Sequence, residues 1–379
     1  MTEANPNILI LYASYGDGHL QVAKALQQRF ARLGIDQVKL VDLLAEAHPF
    51  VNAVTRYVYL KSSTLGPDLY GWSFYLTQHL KHDTAFTKML NRFGTRKFKQ
   101  MLQAERPDAI IYTFPLPVVS GLISRNGTDI RTYTVLTDFV LHQRWIHPDI
   151  DKYYVATEHL KQQIADSGVP EHRIEVSGIP LRSAFSEPIR RQDVCRKYGI
   201  EPSKPVVCLM AGAYGVLKHI SQMGHALLHL DEIELVFVCG RNKPLKEQIE
   251  ASFAGHPRVR ILGYVEHIHE LMAISSCLIT KAGGITLSEA LAMRLPVIVF
   301  RPLPGQEKEN ARFLAQQGAV EIAQRPEELT SLVKRIISLP EQAERMKAVM
   351  EELYSGNAAE SVVSDMLEGL SRIKTGIFG

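Results

Sequence analysis

The sequence lacks a strong charge of either sign, a paired set of cysteines and any long apolar run. Its 379 residues carry a net charge of only +3. That excludes a dedicated nucleic-acid binder and confines any basic surface to local patches. The four cysteines, Cys195, Cys208, Cys239 and Cys277, show no paired spacing. At least three fall in strand-like runs, so they read as reduced core thiols of a cytosolic protein. No stretch approaches the roughly 18 apolar residues that a spanning helix needs. Met1 to Asn7 is polar and the apolar run after it is one strand long, which predicts no signal peptide. Membrane contact is therefore expected to be peripheral. Low-complexity tracts are missing too, and 46% apolar residues is the composition of a soluble globular protein. The length suits two domains better than one core.

What is present is a repeated strand–turn–helix rhythm. Asn7 to Tyr12 is an apolar strand, followed by Gly16-Asp17-Gly18-His19 and a helix with Val22, Ala23, Leu26 and Phe30 on one face. The glycine spacing departs from the dinucleotide fingerprint. A histidine at a helix start is placed for proton transfer, because the dipole favours its neutral form; the same residue also fits an ordinary surface turn. Val38–Asp42, Ala109–Thr113, Thr132–Thr137, Tyr153–Ala156 and Ile174–Val176 read as further strands. Asp138 and His142 lie just beyond the end of Thr132–Thr137. Asp149-Ile150-Asp151 has a D-x-D pattern but precedes a strand, the wrong edge of a sheet for a ligand, so no metal site is expected.

Between Phe50 and Leu102 the rhythm stops, and aromatic and basic residues accumulate. Trp72 and Phe74 belong to this insertion, and Lys88, Arg92, Arg96 and Lys99 form a basic stripe at helical spacing. Such a segment suits an anionic bilayer surface, or equally a helix packed on the core with a solvated charged face. The proline-bearing stretch Gly178–Pro205 contains the expected hinge. Beyond it, strands at Val206–Met210, Leu235–Cys239, Val259–Leu262, Cys277–Thr280, Val297–Phe300 and Val320–Ile322 alternate with helices, which implies a doubly wound parallel sheet. Glu328 to Leu370 reads as helical.

Ile279 to Asn310 organises the second half. Gly283-Gly284 follows a strand and opens a helix, which suits an anion; Gly305-Gln306-Glu307 follows the next strand and offers an amide and a carboxylate to sugar hydroxyls. Each is also compatible with a plain turn or cap. If the two strands are parallel neighbours, both loops open at one sheet edge. Glu289 lies one turn into the first helix, within reach of a ribose. Together these features indicate a nucleotide-sugar site.

Lys281-Ala-Gly-Gly-Ile-Thr-Leu-Ser-Glu289 and Gly305-Gln-Glu-Lys-Glu-Asn310 resemble the donor-site motifs of family 28 glycosyltransferases. The likeness is strongest to the glycolipid branch, which includes monogalactosyldiacylglycerol synthases and bacterial processive diacylglycerol β-glucosyltransferases. It continues through Tyr12-Ala-Ser-Tyr-Gly-Asp-Gly-His19, Thr113-Phe-Pro115, Leu136-Thr-Asp-Phe139, Gly178-Ile-Pro180 and Met210-Ala-Gly-Ala213. Asp17 interrupts a glycine run present in galactolipid synthases, which puts acceptor fit at Gly18 apart from theirs.

The resemblance implies an α/β protein of the GT-B class, with two Rossmann-like domains facing a cleft. Residues 1–185 would take the acceptor, 186–355 the donor, and 356–379 would form a helix returning to the first domain. Gly212, Ala213 and Gly283, Gly284, Ile285 and Thr286 would hold the diphosphate of UDP-glucose. Tyr264 and Val265 would border the uracil, Glu289 the ribose, and Gln306, Glu307 and Asn310 the hexose. The acceptors would be diacylglycerol and then glucosyl-diacylglycerol, met at the cytoplasmic face of the cell membrane, with no nucleic-acid partner. His19 is the expected base, with Asp138 either its replacement or its orienting partner. No cofactor or essential metal is implied. A UDP-sugar 2-epimerase, a non-catalytic nucleotide-sugar sensor, and a transferase of N-acetylglucosamine to a polyprenyl-linked acceptor are the alternatives that share these features.

Overall fold

Short runs of β-branched and aliphatic residues build the sheets, because strands covered on both faces have no polar side to alternate with. The computed structural model describes residues 5–13, 17–42, 45–46, 71, 75–76, 95–115, 130–214, 217 and 219–374. The chain divides into two compact units, Met1–Arg182 with Ser355–Gly379, and Ser183–Tyr354.

In the first unit, β1 (Ile8–Tyr12), β2 (Val38–Asp42), β3 (Ala109–Tyr112), β4 (Arg131–Val135), β5 (Lys152–Val155) and β6 (Ile174–Val176) form one sheet. The order is β2-β1-β3-β4-β5-β6 and each neighbouring pair is parallel. After β2 the chain returns to the opposite side of β1, so the order reverses between β1 and β3. In open α/β sheets such a reversal marks the carboxyl edge at which ligands bind.

The second unit repeats the plan. Its strands are β7 (Val206–Met210), β8 (Glu234–Val238), β9 (Val259–Leu262), β10 (Cys277–Thr280), β11 (Val297–Phe300) and β12 (Val320–Ala323). They lie in the order β12-β11-β10-β7-β8-β9, again parallel throughout, and the reversal falls between β7 and β10. Val207, Leu209, Phe237, Phe253, Ile279, Phe300 and Met346 belong to its core. Each fully buried aliphatic side chain of this kind contributes roughly 1.5–3 kcal/mol. Cys195, Cys208, Cys239 and Cys277 are all free and buried, and burial pushes the thiols of Cys208 and Cys239 up to about 12 and about 11.

The helical stretch towards the end is three helices, Pro326–Ser338, Pro340–Leu353 and Ala358–Lys374. Pro340 starts the second, where its missing N–H costs nothing. Gly356, at a φ of 75°, turns the chain before the third. That last helix packs in the first unit. Asp365 accepts from Lys152 and from the hydroxyl of Tyr154, each at 2.6 Å, and Arg29 pairs with Glu360 at 2.8 Å. Among the described residues no helix is long and apolar enough to cross a membrane.

Candidate active site

Three neighbouring strand ends converge on His19. The residue lies in the first turn of the helix Asp17–Arg32, which follows β1. Its Nδ1 stands 2.6 Å from the carbonyl oxygen of Thr113, just beyond β3, and 3.2 Å from the hydroxyl of Thr137, beyond β4. A carbonyl can only accept, so Nδ1 carries the proton and Nε2 is left as a lone-pair acceptor. The Thr113 hydroxyl donates back to the carbonyls of His19 and Leu11, at 3.1 and 3.3 Å, which locks the helix start onto β3. Phe114 meets the imidazole edge-on at 5.0 Å between centroids, and buried Trp145 lies 6.4 Å away. Enclosure by these groups lowers the His19 pKa from 6.5 to about 4, against the opposing pull of the Thr113 bond. The result is a neutral imidazole with a defined tautomer.

Asp138 is buried next to Thr137. His19 Nδ1 has a main-chain carbonyl and a hydroxyl as partners, two groups that sequence reading passed over. Thr113 is the first residue past β3 and Thr137 the second past β4, the two strands that follow β1 in the sheet order β1-β3-β4, a signal legible once the strand order is known. His142 instead caps the short turn Gln143–Trp145, accepting from the Arg144 N–H at 3.2 Å.

Asp149 and Asp151 sit at the amino end of β4 and β5. Asp151 accepts from the Thr132 N–H at 2.8 Å and from Arg131 at 2.9 Å, and the Asp149 carbonyl accepts from the Thr132 hydroxyl at 2.7 Å. The D-x-D pair therefore closes a strand entrance.

In the second unit the glycine turns gather at the β7/β10 reversal. Gly212 holds a φ of +79°, a conformation that favours glycine, with Ala213 half-buried beside it. Gly283 caps the helix Gly284–Ala292 with no side-chain bond to its amides, and open space surrounds the position a Cβ would take. The N–H groups of Gly284, Ile285 and Thr286 open this helix, the end at which the helix dipole is positive. Glu289 is buried one turn further on. Gly305, at φ 94° and ψ −142°, turns the chain from β11 into the helix Gln306–Gln317, with Gln306 and Glu307 half-buried in its first turn. Glu307 forms an ion pair with Lys281, and its second carboxylate oxygen is buried with no hydrogen-bond partner among the described residues. Asn310 is completely buried and its amide donates to the Ala282 carbonyl at 3.3 Å, which makes it a support beneath the glycine turn. Tyr264 is 47% exposed, beside half-buried Val265, and the Arg241 guanidinium lies 4.1 Å over its ring. Lys281 and Arg241 are the functional candidates of this unit that sequence reading did not assign.

Gly18 is half-buried in the first turn of the Asp17–Arg32 helix. Lys99 is exposed on the helix Thr95–Glu105, whose Phe98 is buried. Trp72, Phe74, Lys88, Arg92 and the side chain of Arg96 lie outside the described residues.

Residues 19–181 match the model of the monogalactosyldiacylglycerol synthase family, and residues 206–366 match the glycosyltransferase family 28 C-terminal domain. A processive diacylglycerol beta-glucosyltransferase of Bacillus thuringiensis is 39% identical over 365 residues, covering 96% of this chain and 94% of that one. Among solved structures, a putative UDP-N-acetylglucosamine 2-epimerase from Listeria monocytogenes superimposes with a TM-score of 0.65 at 14% identity, covering 95% of each chain. MurG from Acinetobacter baumannii gives a TM-score of 0.62 at 17% identity over 96% of this chain and 100% of that one. These two likenesses are of fold.

The family models and the glucosyltransferase relatives identify a glycosyltransferase, built here on two doubly wound parallel sheets. The chain belongs to glycosyltransferase family 28, within its glycolipid-making branch, the group of the processive diacylglycerol beta-glucosyltransferases.

Proposed function

We infer that the protein transfers glucose from UDP-glucose to diacylglycerol, and then onto the resulting glucosyl-diacylglycerol, inverting the α-linkage of the donor to β. The observation that carries the reading is the relationship to processive diacylglycerol beta-glucosyltransferases over 96% of the chain. Geometry supports each half of it. An acceptor alcohol is a weak nucleophile, and removing its proton in the transition state calls for a positioned base, worth roughly 10²–10⁴-fold. His19 is neutral, with Nε2 unprotonated, and meets that need; Asp138 is the second candidate. The donor belongs to the second unit. The diphosphate takes the amides of Gly212, Ala213 and Gly283 to Thr286; Glu289 takes the ribose, Tyr264 and Val265 border the base, and Gln306 and Glu307 meet the hexose hydroxyls.

The helix end, backbone amides and side-chain cations stabilise the leaving diphosphate without a divalent ion. Commitment of Asp151 to Thr132 and Arg131 supports that view. The acceptor is a membrane lipid, so the protein works as a peripheral protein at the cytoplasmic face, with the basic and aromatic residues between Phe50 and Leu102 against an anionic surface. Incubation with diacylglycerol and radiolabelled UDP-glucose, UDP-galactose or UDP-N-acetylglucosamine tests the reading. Chromatography should show mono- and diglucosyl lipids from UDP-glucose; label confined to free sugar or to another donor's products would refute it.

A further inference from the structure

We propose that Thr137 is a positioning residue for the base: its hydroxyl accepts a second hydrogen bond from His19 Nδ1–H and stabilises the imidazolium that forms during transfer. The proposal deepens the reading of His19 as the base and rests on it. It starts from a difference among buried threonines. The hydroxyl of Thr113 donates to the carbonyls of Leu11 and His19, that of Thr132 to the Asp149 carbonyl, and that of Thr280 to the Met210 carbonyl. Bonds to the main chain are the ordinary use of a buried hydroxyl that holds a fold together. Thr137 is 3% exposed, yet its hydroxyl stands 3.2 Å from a ring nitrogen, Nδ1 of His19.

The direction of that bond follows from its neighbour. The Thr113 carbonyl, 2.6 Å from the same nitrogen, can only accept. The proton is therefore on Nδ1, and the Thr137 hydroxyl turns a lone pair towards it. One N–H is shared between two oxygens, along a short leg and a long one. Among the described residues both partners of Nδ1 are neutral, a carbonyl and a hydroxyl.

Charge on this ring is costly, because burial lowers its pKa to about 4. In so enclosed a setting each oxygen facing the N–H has more effect than it would in water. As the oxygen of the lipid alcohol bonds to the anomeric carbon, its proton passes to Nε2 of His19. The bond from that carbon to the phosphate oxygen breaks, and its electron pair stays on the phosphate. The ring is then a cation, its Nδ1–H is more polar, and the longer leg strengthens. Thr137 thus contributes in the transition state, which governs turnover rather than substrate affinity.

The test is a double-mutant cycle on the unaltered protein, Thr137→Val, Thr137→Ser, His19→Ala and the combination of His19→Ala with Thr137→Val. Turnover number, KM for the lipid and UDP affinity by calorimetry are measured for each. Valine keeps the shape of threonine and removes only the hydroxyl. Thr137→Val should lower the turnover number about tenfold, the value of one hydrogen bond to a charged group. KM and UDP affinity should hold, and Thr137→Ser should keep most of the turnover. In the His19→Ala background the valine should cost nothing further, because the hydroxyl acts through the ring. Unchanged turnover in Thr137→Val overturns the proposal. An additive loss in the combined variant does so too, as does a loss that serine does not recover, since either marks a threonine that serves only the fold. If His19→Ala keeps near-normal turnover, the reading of His19 as the base fails and this role falls with it.

Discussion

Nδ1 of His19 stands 2.6 Å from the carbonyl oxygen of Thr113, and this one hydrogen bond sets the tautomer of the ring. Because the carbonyl accepts, Nε2 is the basic atom, and because the ring is enclosed, its pKa is lowered from 6.5 to about 4. His19→Ala should cut the turnover number by roughly 10²–10⁴-fold while UDP affinity holds. Near-normal turnover would pass the role to Asp138.

The same shift has a pH signature. A base already neutral well below 6.5 should give a rate that is flat from neutral pH downward, with the acid limb close to about 4. Stability runs with it. Between 6.5 and about 4 the unfolded chain takes up a proton that the folded one refuses, so acidification through that window destabilises the fold. An inflection in kcat/KM at 6.5 that is absent from His19→Ala would show the ring to be unshifted.

Donor contacts should separate kinetically. Glu289→Ala should raise KM for UDP-glucose, because a ribose partner acts in ground and transition states alike. Glu307→Ala should chiefly lower turnover and leave UDP binding nearly intact. Loss of UDP binding in Glu307→Ala, read by calorimetry, would contradict the assignment.

Asp151 and metal independence form one experiment. Activity should survive excess EDTA. Asp151→Ala should lower stability by about 1–3 kcal/mol, because the Thr132 N–H and Arg131 lose their acceptor. Abolition of activity by EDTA with rescue by Mn²⁺ or Mg²⁺ would restore Asp149 and Asp151 as metal candidates.

Asp365 ties the terminal helix to β5 through Lys152 and Tyr154. Asp365→Ala should destabilise the first unit by about 1–3 kcal/mol, leaving the Tyr154 hydroxyl without its acceptor in a buried setting. Faster hydrogen exchange in residues 358–374 with β7–β11 unaffected is the expected pattern; uniform protection would refute it.

The proposed reading puts membrane docking on the insertion between Phe50 and Leu102. Reversing Lys88, Arg92, Arg96 and Lys99 to glutamate should weaken binding to anionic vesicles, at about 1 kcal/mol for each residue near the surface, and the effect should shrink in salt. Replacing Trp72 and Phe74 with serine should weaken binding in a way that salt does not reproduce. Unchanged vesicle pelleting in both variants would place the docking surface elsewhere.

The order of strands and helices was legible in the chain because it is a local property. Continuous apolar runs such as Val206–Met210 announce strands buried on both faces, and glycine pairs such as Gly283-Gly284 announce the turns that leave them. The residue types at the donor turns were legible for the same reason. What the tertiary structure decided was partnership at a distance. Thr113 and Thr137 lie 94 and 118 residues from His19, and no periodicity connects them. Parallel pairing of β1 with β3, and of β3 with β4, brings all three to one edge. The same holds for Lys281 and Glu307, which sit on successive turns and meet because β10 and β11 are neighbours. Asn310 is fully buried and its amide donates to the Ala282 carbonyl beneath the glycine turn, a contact that no spacing in the chain announces.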